Sequence, residues 1–166
     1  MPCACKAPIE TYPENAEWGP LFWKLLHSLA EFSGKQKNIN LQKDEIRLWI
    51  HVLDGLKNIL PCDICRSHYS EWLAAHPLEV LLTMDYGLTN IWIRNYLWSL
   101  HNTINEGNSK PVFPFDQLVI IYKGVDTKAA WKALEPVMKK AITLNGVSLL
   151  HWKKWLAYIR MLQGMY

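Results

Sequence analysis

The sequence predicts an all-α fold, on three observations. Apolar residues recur every three or four positions in segment after segment, which is the period of a helix face. Those segments stop at Gly or Pro, the residues that end helices. The βαβ alternation of a parallel sheet is missing, and no GxGxxG or GxxxxGK follows a strand. The composition supports a packed core: 50% of the 166 residues are hydrophobic and 20% charged, with nine Trp, seven Tyr and four Phe.

Residues 1–16 hold three Pro and no periodicity, and read as a flexible arm whose only chemistry is Cys3 and Cys5. Trp18, Phe22, Leu25, Leu29 and Phe32 then mark a first helix over 17–33, closed by Ser33 and Gly34. After the polar GKQKNINLQ, the stripe Ile46, Ile50, Leu53, Leu56 and Leu60 predicts a second helix over 45–60, ended by Pro61. A third helix runs from Cys62 to Ala75, with a short turn at 78–82. A fourth spans 88–106 and stops at Gly107 and Asn108. The extended KPVFPF follows, and then LVIIY, which fits a strand or a buried helix equally well. Beyond Gly124, residues 127–142 and 148–163 predict an appended helical pair, the first member bent at Pro136.

Charge narrows the partners. Lys and Arg total 18 against 15 Asp and Glu, giving net +3. Only four of the 18 are Arg, whereas phosphate-gripping proteins favour the Arg fork, so nucleic acid is not expected as a partner. No apolar run reaches the roughly 18 residues of a membrane span. The start MPCACKAPIE lacks the basic and apolar segments of a secretory signal, so secretion by that route is not expected.

The four cysteines form two local pairs, Cys3/Cys5 and Cys62/Cys65. Neither pair would close a long loop, which leaves redox exchange or metal binding as the better explanations. Two cysteines three residues apart at a helix start share a face and can cycle between dithiol and disulfide. Cys62 in the first turn would gain from unpaired backbone N–H groups, with Asp63 opposing, and is the expected exchanger. A zinc-organised helical module is the rival from another class, with Cys62, Cys65 and His68 completed by the Cys3/Cys5 pair or His76. A chain with this much apolar mass has little need of a structural metal.

Two polar seams break otherwise apolar helices. Arg94, Trp98, His101, Asn105 and Asn108, with Asn102 beside them, recur at helical spacing, and Trp23 and His27 sit at i and i+4 on the first helix. Buried amides and imidazoles need partners. A satisfied core network supplies them in the plainest reading; a planar heteroaromatic ligand supplies them in the other.

WGPLFWKLLHSLAEF at 18–32, PCDIC at 61–65 and HNTINEGNSKPVF at 101–113 occur in that order, and together they resemble the FAD-dependent Erv/ALR family of sulfhydryl oxidases over residues 17–122. The resemblance implies a four-helix bundle core with an additional short helix, to which residues 123–166 add a C-terminal helical extension. It implies FAD held without a covalent bond beside the CxxC, contacted by Trp23, His27, His101, Asn102, Asn105, Lys110 and Phe113, and a homodimer. Cys65 would be the flavin-side cysteine, Cys62 would receive electrons, and Cys3/Cys5 on the arm would be the shuttle pair. The implied activity is disulfide formation in protein dithiols, with electrons passing through CxxC and FAD to dioxygen to give hydrogen peroxide.

The sequence departs from the family in three places. Trp98 and Phe115 stand where many relatives carry a structural disulfide, so an aromatic contact is expected there instead. Phe32 and Ser33 replace two aromatic residues. The tail after Tyr122, with Trp131, Trp152 and Trp155, has no counterpart in short members. The chain most resembles members encoded by large cytoplasmic DNA viruses, which implies the host cytoplasm or virion over the mitochondrial intermembrane space.

Overall fold

The computed structural model describes residues 12–166, so the Cys3/Cys5 pair lies outside the described residues. The described chain is all-α, without a strand: α1 (Asn15–Ala30), α2 (Ile39–Ile59), α3 (Asp63–Ala75), α4 (Val80–Thr83), α5 (Thr89–Gly107), α6 (Gln117–Tyr122), α7 (Thr127–Thr143) and α8 (Leu149–Met165), with a 3-10 turn at Tyr86–Leu88. No described helix is long and apolar enough to cross a membrane.

Local chemistry sets the ends. At the start of α1 the Glu14 backbone N–H donates to Glu17 Oε1 (3.3 Å), half of a capping box. The helix stops at Ala30, short of the expected Ser33, and the chain reverses through Gly34 at φ +71°. A Cβ there would lie 2.8 Å from the backbone nitrogen of Asn90, so the left-handed turn and the close approach both call for glycine. α2 begins six residues before the expected Glu45, because Asn38 caps it by accepting the Asn40 N–H (2.8 Å). The apolar stripe misses that first turn, since Ile39 and Leu41 face solvent. LVIIY is helical: α6 buries Leu118 and exposes Ile120 and Ile121, with no strand beside it to pair. α7 continues through Pro136.

α1 packs on α5 and α6 on one side and on α7 on another, while α2 packs on α3, α4 and α8. The appended pair is therefore part of the bundle. Leu134, Met138, Trp155, Ile159 and Leu162 join Phe22, Leu25, Trp49 and Leu53 in a single core. α2 and α8 meet at Gly55, where Trp155 lies over the glycine and its Nε1–H donates to the Val52 carbonyl (2.9 Å). The chain end is tied down as well. Tyr166 and Tyr86 donate to the fully buried carboxylate of Glu45, which also accepts the Gly34 N–H (3.1 Å), and Trp49 Nε1–H donates to the Tyr166 hydroxyl (2.8 Å).

Candidate functional site

Pro61 cannot continue α2, and the chain turns at once into α3 with Cys62 as its N-cap. The Cys62 sulfur accepts the backbone N–H of Cys65 at 3.3 Å, so this cysteine precedes the first turn and does not lie within it. Arg66 fastens the turn from below. Its guanidinium pairs with Asp63 and donates to the carbonyls of Leu60, Pro61 (3.3 Å) and Gly146 (2.8 Å), the last in the loop before α8. Both cysteines are thiols, Cys62 buried and Cys65 half-buried. The residue expected to be the outer exchanger is thus the more enclosed one: Cys62 belongs to the core cluster and Tyr12 lies against its sulfur, while Cys65 packs on the edge of that cluster. Burial pushes the Cys65 thiol up to about 12, neighbouring Cys62 adds to this, and a contact with Asn15 opposes it.

Further along α1 lies a stack of rings. Trp23 stacks on His101 of α5 at 4.1 Å between centroids and 10° between planes. His27 stacks on Tyr122 of α6 at 4.8 Å, and its Nε2 meets His101 Nδ1 at 3.2 Å. Phe113 lies parallel to His101 at 6.2 Å. Burial is the main reason that both imidazoles are held neutral: His27 is lowered to about 3, with His101 and Arg94 adding to the effect, and His101 to about 4, with Lys110 adding. Two neutral rings sharing one proton keep one further donor and one further acceptor nitrogen, one on the half-buried His101 and one on the buried His27.

The other expected contacts divide. The buried Asn102 gives its amide to the chain: Nδ2 donates to the Phe113 carbonyl (3.0 Å) and Oδ1 accepts the Phe113 N–H (2.8 Å). It positions Phe113 and keeps one Nδ2–H and one Oδ1 lone pair beyond those two bonds, and Trp98 Nε1–H donates to the same carbonyl (2.7 Å). Asn105 is half-buried, and its carbonyl accepts the Lys110 N–H (2.8 Å), which leaves the exposed Lys110 side chain near His101. Asn108 is exposed and outside the seam. The expected aromatic contact is present: Trp98 and Phe115 meet edge to face at 5.7 Å, both half-buried. The Arg94 guanidinium lies over Phe115 and pairs with Glu31 of α1 at 2.8 Å, a pairing that the sequence analysis missed. Tyr122 was also missed. Its signal was the helical reading of LVIIY, which turns it toward α1.

Among the described residues no three of His, Cys, Asp and Glu gather as metal ligands; His76 lies on Trp72 at 3.7 Å instead of near the cysteines, and His68 is exposed. Two clefts lie elsewhere, one lined by His51, Asp54, His151 and Tyr158, the other by Trp72, Trp92 and Tyr96. Asn15, which touches Cys65, and His27 are both on α1, twelve residues or about 18 Å apart at 1.5 Å per residue. A group reaching both sulfur and imidazole must be elongated. FAD has that form, and the half-buried rings of Trp23, His101, Phe113 and Tyr122 with the exposed Lys110 suit its flat rings and its charge, while His27 itself is buried.

Comparison with known proteins adds a second line. Residues 20–123 match the model of the Erv1 / Alr family. The chain is 25% identical over 118 residues to a FAD-linked sulfhydryl oxidase of African swine fever virus, covering 71% of this chain and 87% of that protein. It is 26% identical over 131 residues to the FAD-linked sulfhydryl oxidase ERV1 of Arabidopsis thaliana, covering 79% and 58%. No solved structure matches.

Proposed function

The chain belongs to the Erv1/Alr family, and from that premise we propose that it is a FAD-linked sulfhydryl oxidase, forming disulfides in protein dithiols with dioxygen as acceptor and hydrogen peroxide as product. The observation that carries the reading is a thiol pair at the start of α3 whose Cys65 touches α1, the helix that further along bears Trp23 and His27 against His101 of α5. Trp23, His27, His101, Asn102 and Phe113, with Asn105, Lys110 and Tyr122, would hold FAD. When bound, FAD supplies an acceptor for two electrons that dioxygen reoxidises.

The chain's own work is thiol exchange. In the oxidised enzyme Cys62 and Cys65 share a disulfide. A thiolate attacks the Cys62 sulfur, the Cys62–Cys65 bond breaks, and Cys65 leaves with the electron pair. The second incoming thiol, as thiolate, then displaces Cys62, so the donor leaves oxidised and the enzyme holds a dithiol. Cys3 and Cys5 are the shuttle pair in this reading, accepting electrons from the protein substrate and delivering them to Cys62. His27 and His101 bind and orient through their two remaining nitrogens, and Asn102 holds Phe113 in line with them. The reading takes the protein as a homodimer and, by likeness to the viral relative, assigns it to a host cytoplasm or virion.

The test is anaerobic reduction of the purified yellow protein by a dithiol, followed by admission of air. The flavin band should bleach, then recover with about one peroxide per flavin. Cys65→Ser should keep FAD and lose turnover; full dithiol oxidase activity in that variant overturns the assignment.

A further inference from the structure

Asn15 is the first residue of α1, one position past the Glu14 cap, and an exposed amide there is free to face water. Here it crosses to α3 instead, and its Oδ1 lies 3.9 Å from Cys65 Sγ, within reach of the thiol proton. The titratable groups facing Cys65 are Cys62 on its own helix and Tyr12 ahead of α1, with the Asp63–Arg66 pair beside it on α3. None of these is a cation bonded to the sulfur: the Nη1 and Nη2 groups of Arg66 are turned to three carbonyls and to Asp63. The Asn15 side chain and the backbone N–H of Cys65 are the two hydrogen-bonding groups that oppose the rise of this thiol, and Asn15 faces it here with its acceptor oxygen.

From this contact we infer that Asn15 is a positioning residue for the CxxC, holding Cys65 through both of its protonation states. An asparagine amide suits that role because it carries an acceptor and a donor on one pivot. With Cys65 as a thiol, Oδ1 accepts the S–H. When the Cys62–Cys65 bond breaks and Cys65 leaves as thiolate, a half-turn of the amide presents Nδ2–H to the sulfur, a charge-assisted hydrogen bond that the thiol does not receive. The departing sulfur is thereby stabilised without a fixed positive charge, which would favour the thiolate so strongly that it became a poor nucleophile for closing the disulfide again. The position also couples the redox pair to α1, the helix that bears Trp23 and His27. The proposal rests on the reading of Cys65 as the leaving cysteine, and its test separates the two.

The experiment measures carboxymethylation of Cys65 against pH in the reduced full-length protein, read on the Cys65 peptide, for the parent, Asn15→Asp and Asn15→Ala. A carboxylate in place of the amide repels the thiolate and cannot donate to it, so Asn15→Asp should slow Cys65 labelling at pH 8 by roughly tenfold and move its profile up by about one unit. Asn15→Ala should fall between, and Cys62 labelling should change less than twofold in both. Asn15→Ser, which keeps a donor and acceptor, should recover part of the effect. Thermal melts of each variant check that the fold is retained. A Cys65 profile unchanged in Asn15→Asp with the fold intact overturns the inference, as does an equal shift at Cys62. Because labelling needs neither flavin nor turnover, loss of oxygen consumption in the parent would sink the oxidase reading while leaving this result standing.

Discussion

At the scale of single residues, the site works by keeping charge away from its rings. His27 and His101 are neutral through the whole physiological range because burial penalises the imidazolium, with Arg94 and Lys110 as nearby cations opposing it further. An unfolded chain would protonate both near pH 6.5. The folded chain resists until about 3 for His27 and about 4 for His101, so between those limits the unfolded state binds more protons and folding stability rises with pH. Their stabilising contribution is therefore complete above pH 6.5 and is lost as pH falls from there, toward about 4 for His101 and about 3 for His27. Melting temperature should drop over this window, and the slope should flatten in His27→Gln. An unchanged slope in the variant means that other groups govern the acid limb.

At the scale of elements, helices meet where a side chain is missing. Gly55 lets Trp155 of α8 lie against α2, and a Cβ at that position would stand 2.6 Å from the indole Cδ1. The ring cannot withdraw freely, because its Nε1–H is bonded to the Val52 carbonyl. Gly55→Ala should gain about 1 kcal/mol from helix propensity and lose more from overpacking, which costs about 1–3 kcal/mol. A net destabilisation in denaturant melts is expected; a stabilised variant would mean that α8 shifts at little cost. The clip between α5 and the segment before α6 shows the same economy. Asn102 and Trp98 hold Phe113 against α5 by hydrogen bonds, and Trp98 and the Glu31-paired Arg94 hold Phe115 by ring contacts, at the positions where relatives were expected to carry a disulfide. Such a clip does not depend on the redox state of the surroundings.

At the scale of the whole molecule, the pair α7–α8 is built into the bundle. Trp155, Leu134, Met138, Ile159 and Leu162 are almost fully buried, and each side chain of this kind stabilises by about 1.5–3 kcal/mol when it leaves water. Five of them contribute on the order of 10 kcal/mol, comparable to the whole net stability of a domain. Removing residues 123–166 should therefore unfold the chain or drive it to self-associate through the bared faces of α1 and α2, as read by circular dichroism and gel filtration. A folded fragment with the same oligomeric state as the parent would show that the helices are separable. They also reach the site, since the Gly146 carbonyl anchors the Arg66 that braces the CxxC turn.

The helical class, the places where Pro61 and Gly107 end their helices, and the grouping of Trp23 and His27 with His101 and Phe113 were legible in the sequence. Each depends on spacing along one helix, or on short motifs whose order along the chain reflects a shared geometry. The start of α2 was not legible, because its first turn is exposed and leaves no apolar stripe. Nor was LVIIY, since a short apolar run has no period of its own and takes its conformation from whether a strand lies beside it. The partnerships Asn15–Cys65, Glu31–Arg94 and His27–Tyr122 join residues 50 or more positions apart. Local chemistry determined which side chains each helix offers and where it stops. Packing in three dimensions decided which of them meet, and so which sulfur is enclosed and which amide faces it.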